Sequence, residues 1–393
     1  MNCWRRRVDA IEESLTSAYP LVSILAVSFN SVEFLGPFLD SVRRNTAYPN
    51  YELVLVDNCS TDGSQRVLDE YRNTFPQLRI TLLKENRGFA AANNIAAGQA
   101  RGEFFVFLNV DTVVTWGWLG RLLFPLAQND KVGITAPVTN FSGNETRIQT
   151  GYRTLAEMDR FALERVSTDF HRTQELDVVP FLCAAVPRRV WSQVGDLDES
   201  FGVGMFEDDD YCIRVRMAGF RILVVEDCFI HHFGNGSFRK IDSAQVLALF
   251  EKNRKYFESK WKKTWINHKI RAGVPPLREG DRIPLSEFFG SPELVSQRTP
   301  RLILKHLFPS RTSIGQPINL QPNGCSALVA ECENASPGTV IRFDGQLLQT
   351  ACGNSFLLSA ELPDHFNRIP RRIPVSLVND QGESDTLLFQ VED

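Results

Sequence analysis

An alternation of predicted strands and helices over residues 21–110 limits the possible folds of this chain more than any other feature. Short apolar, β-branched runs alternate with amphipathic stretches, the pattern of a parallel sheet covered by helices. The predicted strands are Leu21–Ser28, Glu52–Val56, Arg79–Leu83 and Glu103–Leu108. The predicted helices between them are Val32–Arg44, Ser64–Phe75 and Ala90–Ala100. We therefore predict a doubly wound α/β fold here.

Polar residues cluster where each predicted strand ends. The clusters are Asn30, Asp57-Asn58, Glu85-Asn86 and Asn109–Asp111. In open α/β sheets ligands bind at the carboxyl ends of the strands, so we expect the four clusters to meet in one crevice.

The rest of the chain changes character twice. Residues 243–263 predict an amphipathic helix packed on the α/β unit, with Val246, Phe250, Phe257 and Trp261 on its apolar face. Residues 271–316 are basic and Pro-rich, which is typical of a linker or loosely packed arm. After about Ile318, short alternating runs separated by turns predict a β-sandwich. Its predicted strands are Ala327–Ala330, Thr339–Phe343, Arg372–Leu377 and Thr386–Val391. The predicted organisation is an N-terminal extension (1–20), an α/β domain (21–265), a basic linker or arm (266–316) and a β-sandwich (317–393).

Composition and charge exclude several classes of protein. The 393 residues are 43% hydrophobic and 23% charged, as in globular proteins, and the net charge of −4 gives no sign of a nucleic-acid binder. No run approaches the ~18–20 apolar residues needed to cross a bilayer. The eight cysteines are scattered without a CxxC pair, which favours reduced thiols in the cytoplasm. Charge is uneven, however, because residues 239–314 carry +9.

Two aspartates follow predicted strands in positions suited to ligand binding. Asp57 precedes a helix whose first N–H groups are unpaired, so it could accept hydrogen bonds from a base or ribose. The alternative, that Asp62 or Ser64 caps the helix, does not explain Asp57. Asp111 suits a divalent cation that bridges a diphosphate, with turn formation as the alternative.

Two further motifs carry titratable groups. Glu207–Asp210 places four carboxylates before a predicted helix. The helix dipole favours acidic residues there, so a capping run is the alternative. Adjacent like charges raise the pKa of at least one of these carboxylates, however, which suits a general base. His232 follows a strand and could bind a metal or phosphate, with Gly234 and Gly236 in a loop that closes over substrate; a structural role is the alternative.

The segment Asn86–Asn94 opens a predicted helix with Gly88 and small residues, which would let a ligand approach closely. It lacks the GxGxxG spacing of dinucleotide-binding proteins, so a Rossmann dehydrogenase is disfavoured.

Taken in order, these motifs resemble the family 2 inverting glycosyltransferases of the GT-A fold. They are Ser28-Phe29-Asn30, Val56-Asp57-Asn58, Ser60-x-Asp62-Gly63-Ser64, Glu85-Asn86-x-Gly88-Phe89, Leu108-Asn109-x-Asp111 and Glu207-Asp208-x-Asp210. The resemblance covers roughly residues 20–265. Asn86–Ala90 and the His-x-Gly segment at His232 are similar to the rhamnosyltransferase-like branch of bacterial surface-polysaccharide synthesis.

The resemblance implies a role for each motif. Asp57 would hold the nucleoside of the donor, and Asp111 would bind the divalent cation, Mg²⁺ or Mn²⁺, with His232 as a second ligand. Asp208 would be the general base of a single in-line displacement. The remaining donor-binding residues would be Ser28, Asn30, Asn86, Gly88, Asn109, Glu207 and Asp210. Asn109 replaces the first carboxylate of the usual Asp-x-Asp motif, and a processive Gln-x-x-Arg-Trp motif is missing, so we expect a non-processive enzyme.

The resemblance also implies partners. The donor would be a dTDP- or UDP-sugar, with dTDP-rhamnose as one candidate, and the acceptor a glycan or lipid-linked sugar. The basic residues 239–314 could lie against anionic lipid at the inner face of the membrane, although a solvated surface is the alternative. The C-terminal residues resemble an immunoglobulin-like IPT/TIG domain, most clearly at Gly338–Gly345, which implies acceptor presentation or partner binding.

Two other functions stay open. A nucleotidyltransferase also uses strand-end carboxylates and a metal, but residues 26–32 supply no Gly-rich loop for a triphosphate. A non-catalytic sugar-binding or scaffold protein is the second alternative, against which the retained Asp57, Asp111 and Asp208 speak.

Overall fold

The structure is a computed structural model. It describes residues 19–234, 242–278, 281–289, 302–319, 325–333, 335, 338–354, 357–363, 365–379 and 382–393. Most of the predicted N-terminal extension, Gly236 of the predicted closing loop, and Pro292 and Pro300 of the predicted arm lie outside these residues.

A mixed sheet of nine strands forms the first part of the chain. In chain order the strands are β1 (Val22–Ser28), β2 (Tyr51–Asp57), β3 (Leu78–Leu82), β4 (Phe104–Leu108), β5 (Thr112–Val114), β6 (Val132–Thr139), β7 (Thr173–Glu175), β8 (Cys183–Pro187) and β9 (Arg221–His232). Their spatial order is β3-β2-β1-β4-β8-β6-β9-β5, with β7 also paired to β9. Strands β1 to β4 are parallel, and β8 runs antiparallel to both β4 and β6. The order reverses between β1 and β4, which is where such sheets bind ligands.

Helices cover both faces of this sheet. They are α1 (Val32–Asn45), α2 (Ser64–Arg72), α3 (Gly88–Gln99), α4 (Trp118–Gln128), α5 (Leu155–Thr168), α6 (Arg188–Val194), α7 (Glu207–Met217), α8 (Ser243–Trp261) and α9 (Leu285–Phe289). Successive side chains of a strand face opposite sides, so Ile24 packs in one core with Phe38 while Leu25 packs in the other with Phe107. This explains why the central strands are apolar throughout. The predicted helix over 243–263 is confirmed, because Phe257 of α8 packs against Phe201 and Phe206.

Two further sheets form the C-terminal part. Their strands are β10 (Ile303–Phe308), β11 (Arg311–Ser313), β12 (Ala327–Glu333), β13 (Val340–Phe343), β14 (Gln346–Leu347), β15 (Thr350–Asn354), β16 (Leu357–Glu361), β17 (Arg371–Asn379), β18 (Gly382–Glu383) and β19 (Leu387–Glu392). One sheet has the order β10-β12-β16-β15 and the other β11-β19-β17-β13-β14, with β18 on β17. A single core that includes Phe343, Phe366 and Phe389 lies between them. The predicted fold class, α/β followed by all-β, is confirmed.

The prediction of a loose arm over residues 266–316 is the one that differs most from the structure. Strands β10 and β11 lie within residues 266–316, yet they pair into the C-terminal sheets. A register shift between Leu304 and His306 interrupts the alternation of β10, so the sequence pattern hides the strand. Earlier in the arm, Arg271 forms two hydrogen bonds of 2.8 and 2.9 Å with Glu226 on β9. The arm is therefore packed at these points. Within the described residues, no helix combines the length and apolarity that a membrane crossing requires.

Candidate active site

A cavity of about 470 Å³ lies at the carboxyl ends of β1 and β4. It occupies the point where the strand order reverses, as the sequence predicted. Its polar wall residues come from seven separate stretches of chain: Ser31, Asn58, Asn86, Asn109, Asp111, Ser142, Glu207, Asp208 and His232. The four strand-end clusters therefore do converge, since Ser31 directly follows Asn30 and the other three clusters each contribute a wall residue.

Asp57 and Ser28 lie together behind the cavity wall. They are the last residues of β2 and β1, they face each other in register, and both are fully buried. Oδ1 of Asp57 accepts a hydrogen bond from the Ser60 amide (3.0 Å), whereas Oδ2 is buried and has no hydrogen-bond partner among the described residues. A buried carboxylate oxygen without a partner is costly, so this atom is suited to a donor from a ligand. Neither side chain is part of the cavity wall itself.

Asparagine side chains fix the loops on this side of the cavity. Asn30, in the left-handed region at φ 49°, accepts a hydrogen bond from the Thr61 amide at 2.8 Å. Asn58 donates to Oδ1 of Asn86 (2.8 Å) and accepts from the Arg87 amide (2.8 Å). These bonds tie the ends of β1, β2 and β3 into one rigid rim, and Asn58 and Asn86 face the cavity.

Gly88 has a different local role from the one predicted. Its φ is +84°, and a Cβ at this position would lie 2.0 Å from the carbonyl oxygen of Gly202. The close approach is therefore made by the protein's own backbone and not by a ligand. Gly88 lets α3 pack against the loop that carries Val203 and Gly204, which line the cavity.

One carboxylate and one imidazole, Asp111 and His232, form a pair in the described part of the cavity wall. Strand β5 is antiparallel to β9, so Asp111, just before β5, meets His232 at the end of β9, with Nε2 and Oδ2 3.3 Å apart. Nδ1 of His232 lies 2.8 Å from the carbonyl oxygen of Phe141. A carbonyl only accepts, so Nδ1 carries the hydrogen, and Nε2 then needs a second proton or a cation to face a carboxylate. Burial lowers the pKa of His232, whereas the charge and hydrogen bond of Asp111 and the hydrogen bond to Phe141 raise it. The net shift of the pKa is upward.

These two side chains fit a divalent cation as a partial ligand set. The hydrogen bond at Nδ1 leaves Nε2 as the metal-binding nitrogen, the usual arrangement for a ligating histidine. Among the described residues, no group of three or more His, Cys, Asp or Glu side chains forms a complete metal site. A cation here would take its remaining ligands from substrate phosphates and water, as Mg²⁺ commonly does.

The neighbouring histidine, His231, faces the opposite side of β9. Its Nδ1 lies 2.7 Å from the hydroxyl oxygen of Tyr152, and its ring stacks on Phe288 of α9. Burial lowers the pKa of His231 to about 3, so it is neutral and structural. The two roles that the sequence left open therefore belong to different residues. His232 lines the cavity and could bind a metal, whereas His231 is structural.

The acidic run begins α7 at the mouth of the cavity. Met205 and Phe206 precede it with φ values of 78° and 77°, a strained conformation for side chains of this size. The strain aims the run so that Glu207 and Asp208 line the cavity. Burial, followed by the charge of Asp209, raises the pKa of Asp208 to about 7. Burial and the charge of Asp208 raise the pKa of Glu207 to about 8. A carboxylate with a pKa near neutrality is suited to accept a proton.

Asp210 is placed away from the cavity. Its side chain is fully buried, accepts hydrogen bonds from Arg214 Nε (2.9 Å) and Trp261 Nε1 (3.0 Å), and forms an ion pair with Lys260. It therefore joins α7 to α8, and the structure does not bring it together with the other predicted donor-binding residues. Asn109 does line the cavity, and its backbone N–H donates to the carbonyl oxygen of Leu182 at 2.8 Å.

Several wall residues were not predicted individually. Phe141–Gly143 follow β6, and Pro180–Leu182 precede β8. The sequence Asn140–Asn144 has the polar, Gly-containing composition of a loop after a strand, and that signal could have found the first group. Arg282, whose guanidinium carbon lies 4.9 Å from the centre of the Phe141 ring, places a positive charge near His232. No pattern in the sequence links residue 282 to this site.

The first part of the chain matches a known family. Residues 23–194 match the model of glycosyl transferase family 2, which is somewhat less than half of the chain. The match agrees with the predicted enzyme class, a glycosyltransferase. Together with the sheet described above, the match also confirms the predicted GT-A type of fold.

Two relatives are similar to this chain over a longer stretch than the family model. An uncharacterised protein of Sinorhizobium fredii, y4gI, is 26% identical over 258 residues, covering 62% of this chain and 28% of the relative. The O-antigen biosynthesis protein RfbC of Myxococcus xanthus is 28% identical over 235 residues, covering 54% of this chain and 17% of the relative. The chain thus spans less than a third of the length of either relative. A solved structure, the mannosyltransferase of Pyrobaculum calidifontis in complex with GDP-Man and Mn²⁺, is similar with a TM-score of 0.45 and 20% identity, over 62% of this chain and 65% of that one.

Proposed function

We propose that this protein transfers a sugar from a nucleotide-diphosphate donor to a hydroxyl group of a glycan or lipid-linked acceptor, in one displacement that inverts the anomeric carbon. One observation carries the proposal: a single cavity brings together a cation-binding pair, Asp111 and His232, and a carboxylate of raised pKa, Asp208. The family match of residues 23–194 supports it.

The donor would lie along the strand ends. The nucleoside would occupy the side of Asp57, Asn58 and Asn86, where the buried Oδ2 of Asp57 can accept a hydrogen bond. The diphosphate would lie at Asp111 and His232, with Arg282 as a nearby positive charge. A divalent cation bound there would offset the charge that develops on the leaving diphosphate.

Asp208 would then be the base. Its carboxylate takes the proton of the acceptor hydroxyl as the oxygen bonds to the anomeric carbon. The bond from that carbon to the phosphate oxygen breaks on the opposite face, and the nucleoside diphosphate leaves with the electron pair. Dry walls from Phe141, Phe181 and Leu182 keep water from competing with the acceptor.

The biological setting is part of the proposal. The name of the Myxococcus xanthus relative, an O-antigen biosynthesis protein, supports a role in bacterial surface polysaccharides. We keep dTDP-rhamnose as the candidate donor on the motifs of Asn86–Ala90 and His232.

The domain division is also a proposal. We propose that residues 21–265 form the catalytic domain and that the C-terminal sheets present the acceptor or bind a partner. The two parts touch through Trp116, Leu163 and Val329, and Arg160 pairs with Glu331 at 3.4 Å. An immunoglobulin-like identity of the second part belongs to the same proposal.

A contact with membrane lipid is proposed for residues 259–278. This stretch contains six Lys and Arg residues and no Asp or Glu. Lys260, Arg271 and Arg278 form ion pairs with carboxylates elsewhere in the chain, so Lys262, Lys263 and Lys269 would be the basic residues that face lipid. Ile266 and Ile270 are 73% and 40% exposed beside them. Exposed apolar side chains flanked by lysines suit an anionic membrane surface, where each basic residue contributes about 1 kcal/mol.

Nucleotide binding tests the central claim. Thermal stability would be measured with UDP, dTDP, GDP and CMP, each with and without Mn²⁺ or Mg²⁺, because a ligand of the native state raises its stability. We expect metal-dependent stabilisation by dTDP or UDP. The Asp208→Asn variant should keep that stabilisation and lose sugar transfer. Absence of any nucleotide shift would leave a sugar-binding or scaffold protein as the better explanation.

Vesicle flotation tests the lipid contact separately. Wild-type protein should float with vesicles that contain anionic lipid and dissociate at high salt, and Lys262→Glu combined with Lys263→Glu should weaken this. The Glu251→Gln variant, partly exposed on the preceding helix α8, is the control. Binding that is equal with neutral vesicles would refute the contact.

A further inference from the structure

A second, smaller cavity shares a wall with the first. It has a volume of about 240 Å³, and Gly143, Pro180 and Asp208 line both cavities. Asp208 thus forms part of the wall of both cavities. The donor fills one side in the proposed function, which leaves the second cavity facing the same carboxylate.

Three large aromatic side chains contribute to the wall of this second cavity. Phe206, Phe250 and Trp265 line it, and the Trp265 ring lies 5.3 Å from Phe206 and 5.4 Å from Phe250 in edge-on arrangements. The backbone N–H of Trp265 donates to Glu258 at 3.0 Å, which fixes the position of the residue. The indole Nε1 is buried and has no hydrogen-bond partner among the described residues. An apolar wall with one unused donor is typical of a site for a small, uncharged polar ligand.

The charges of the wall exclude an anion. His268 contacts Asp209, with Nε2 3.1 Å from Oδ1, and both line the cavity together with Asp208. His268 is the only basic side chain among the described wall residues, and Asp209 already neutralises it. A phosphate in this space would face two carboxylates at short range, which is unfavourable. A neutral polyol would instead find donors and acceptors on His268 and Asp209.

We propose that the second cavity binds a neutral sugar ring of the acceptor, with the apolar face of the ring against Trp265 and a hydroxyl directed at Asp208. The proposal rests on the proposed function and specifies its acceptor: the reacting group is a sugar hydroxyl, not a phosphate. Trp265 and His268 lie well beyond residues 23–194, so the family match does not cover them. They are specificity-determining residues supplied by the segment after α8.

Every bond broken and formed in the transfer step has a place in this arrangement. The acceptor O–H bond breaks and its proton goes to the Asp208 carboxylate. The new bond joins that oxygen to the anomeric carbon of the donor, and the nucleoside diphosphate leaves on the side of Asp111 and His232. Acceptor and leaving group are then on opposite faces of the transferred sugar, as inversion requires.

Ligand-observed NMR tests the proposal with defined probes. Methyl glycosides of glucose, galactose, N-acetylglucosamine and rhamnose would be titrated into the full-length protein in the presence of UDP and Mn²⁺, with inorganic phosphate as the anionic probe. We expect at least one glycoside to bind wild type, about tenfold weaker binding in Trp265→Ala (roughly one lost favourable contact), and no displacement by phosphate. The control is Leu247→Ala, a residue of α8 that is 62% exposed and outside the cavity wall.

Each contrary result overturns the proposal. It fails if no glycoside binds, if Trp265→Ala binds as tightly as wild type, or if phosphate displaces the glycoside. Trp265 packs on two rings, so Trp265→Ala could fail to fold; Trp265→Phe and His268→Gln then replace it, and each should weaken binding with an unchanged nucleotide shift. A normal nucleotide shift without glycoside binding refutes this inference alone, whereas loss of both refutes the proposed function.

Discussion

Replacing Gly88 by alanine tests how the loop beside the cavity is held. The new Cβ would lie 2.0 Å from the carbonyl oxygen and 2.7 Å from the carbonyl carbon of Gly202. These are backbone atoms, so no side-chain rotation relieves the overlap. Alanine would also have to adopt φ +84°, which costs about 1–2 kcal/mol. Overpacking adds about 1–3 kcal/mol, for a total destabilisation of about 2–5 kcal/mol.

Gly98 on the same helix provides the matched control. A Cβ there meets no atom within 4 Å. Alanine is a better helix former than glycine, so Gly98→Ala should stabilise the protein by about 0.5–1 kcal/mol. The two substitutions are chemically identical and should have opposite signs.

Thermal unfolding measures both variants. For a domain of this size each kcal/mol shifts Tm by about 2–4 °C, so Gly88→Ala should lower Tm by roughly 4–20 °C and Gly98→Ala should raise it slightly. Because Val203 and Gly204 line the cavity, Gly88→Ala should also weaken nucleotide binding. A Gly88→Ala protein that melts at the wild-type temperature would refute the steric argument.

Three other predictions concern the base, the cation and the arm. The rate of sugar transfer should increase as pH rises through about 7, because burial and Asp209 raise the pKa of Asp208 and only the ionised carboxylate accepts a proton. A pH–rate profile that is highest under acidic conditions would contradict this assignment. Asp111→Asn should abolish the Mn²⁺ dependence of the nucleotide-induced thermal shift while the folded protein keeps its far-UV circular dichroism; an unchanged metal dependence would remove Asp111 from the cation site. Glu226→Gln should destabilise the protein to denaturant by about 2–4 kcal/mol because it leaves the half-buried Arg271 without its charge partner. Glu175→Gln, which breaks an exposed pair with Arg221, should cost at most about 1 kcal/mol, and equal effects of these two variants would show that the arm is not anchored this way.

The sheet and its crevice were predictable because their signals are local. Four apolar strands, each followed by a polar cluster, predict both the alternation and the edge where ligands bind, and the structure places Asn58, Asn86 and Asp111 there. The bounds of these four strands differ from the prediction by at most one residue, since the buried strands have sharp apolar limits.

The other parts depend on contacts between distant residues. Asp210 stands only two positions after Asp208 in the same acidic run, yet Asp208 lines the cavity whereas Asp210 pairs with Lys260. Sequence position alone does not reveal which of the four carboxylates faces the ligand. Trp265 and His268 reach the site only because α8 reverses the chain toward α7. Their contribution is a property of packing, not of a local motif.

The amide of Asn253 has a consequence for how the protein forms during synthesis. This residue is fully buried on α8, and its Nδ2 donates to the carbonyl oxygens of Phe201, Gly204 and Met205, at 2.7, 2.8 and 3.2 Å. The turn that sets the strained backbone before Asp208 is thus closed by a side chain added about fifty residues later. Since domains fold progressively as they leave the ribosome, the nascent chain can assemble its sheet while this turn is still open. The cavity would be completed only when α8 emerges and docks, which delays the appearance of a competent enzyme until most of the chain has been translated.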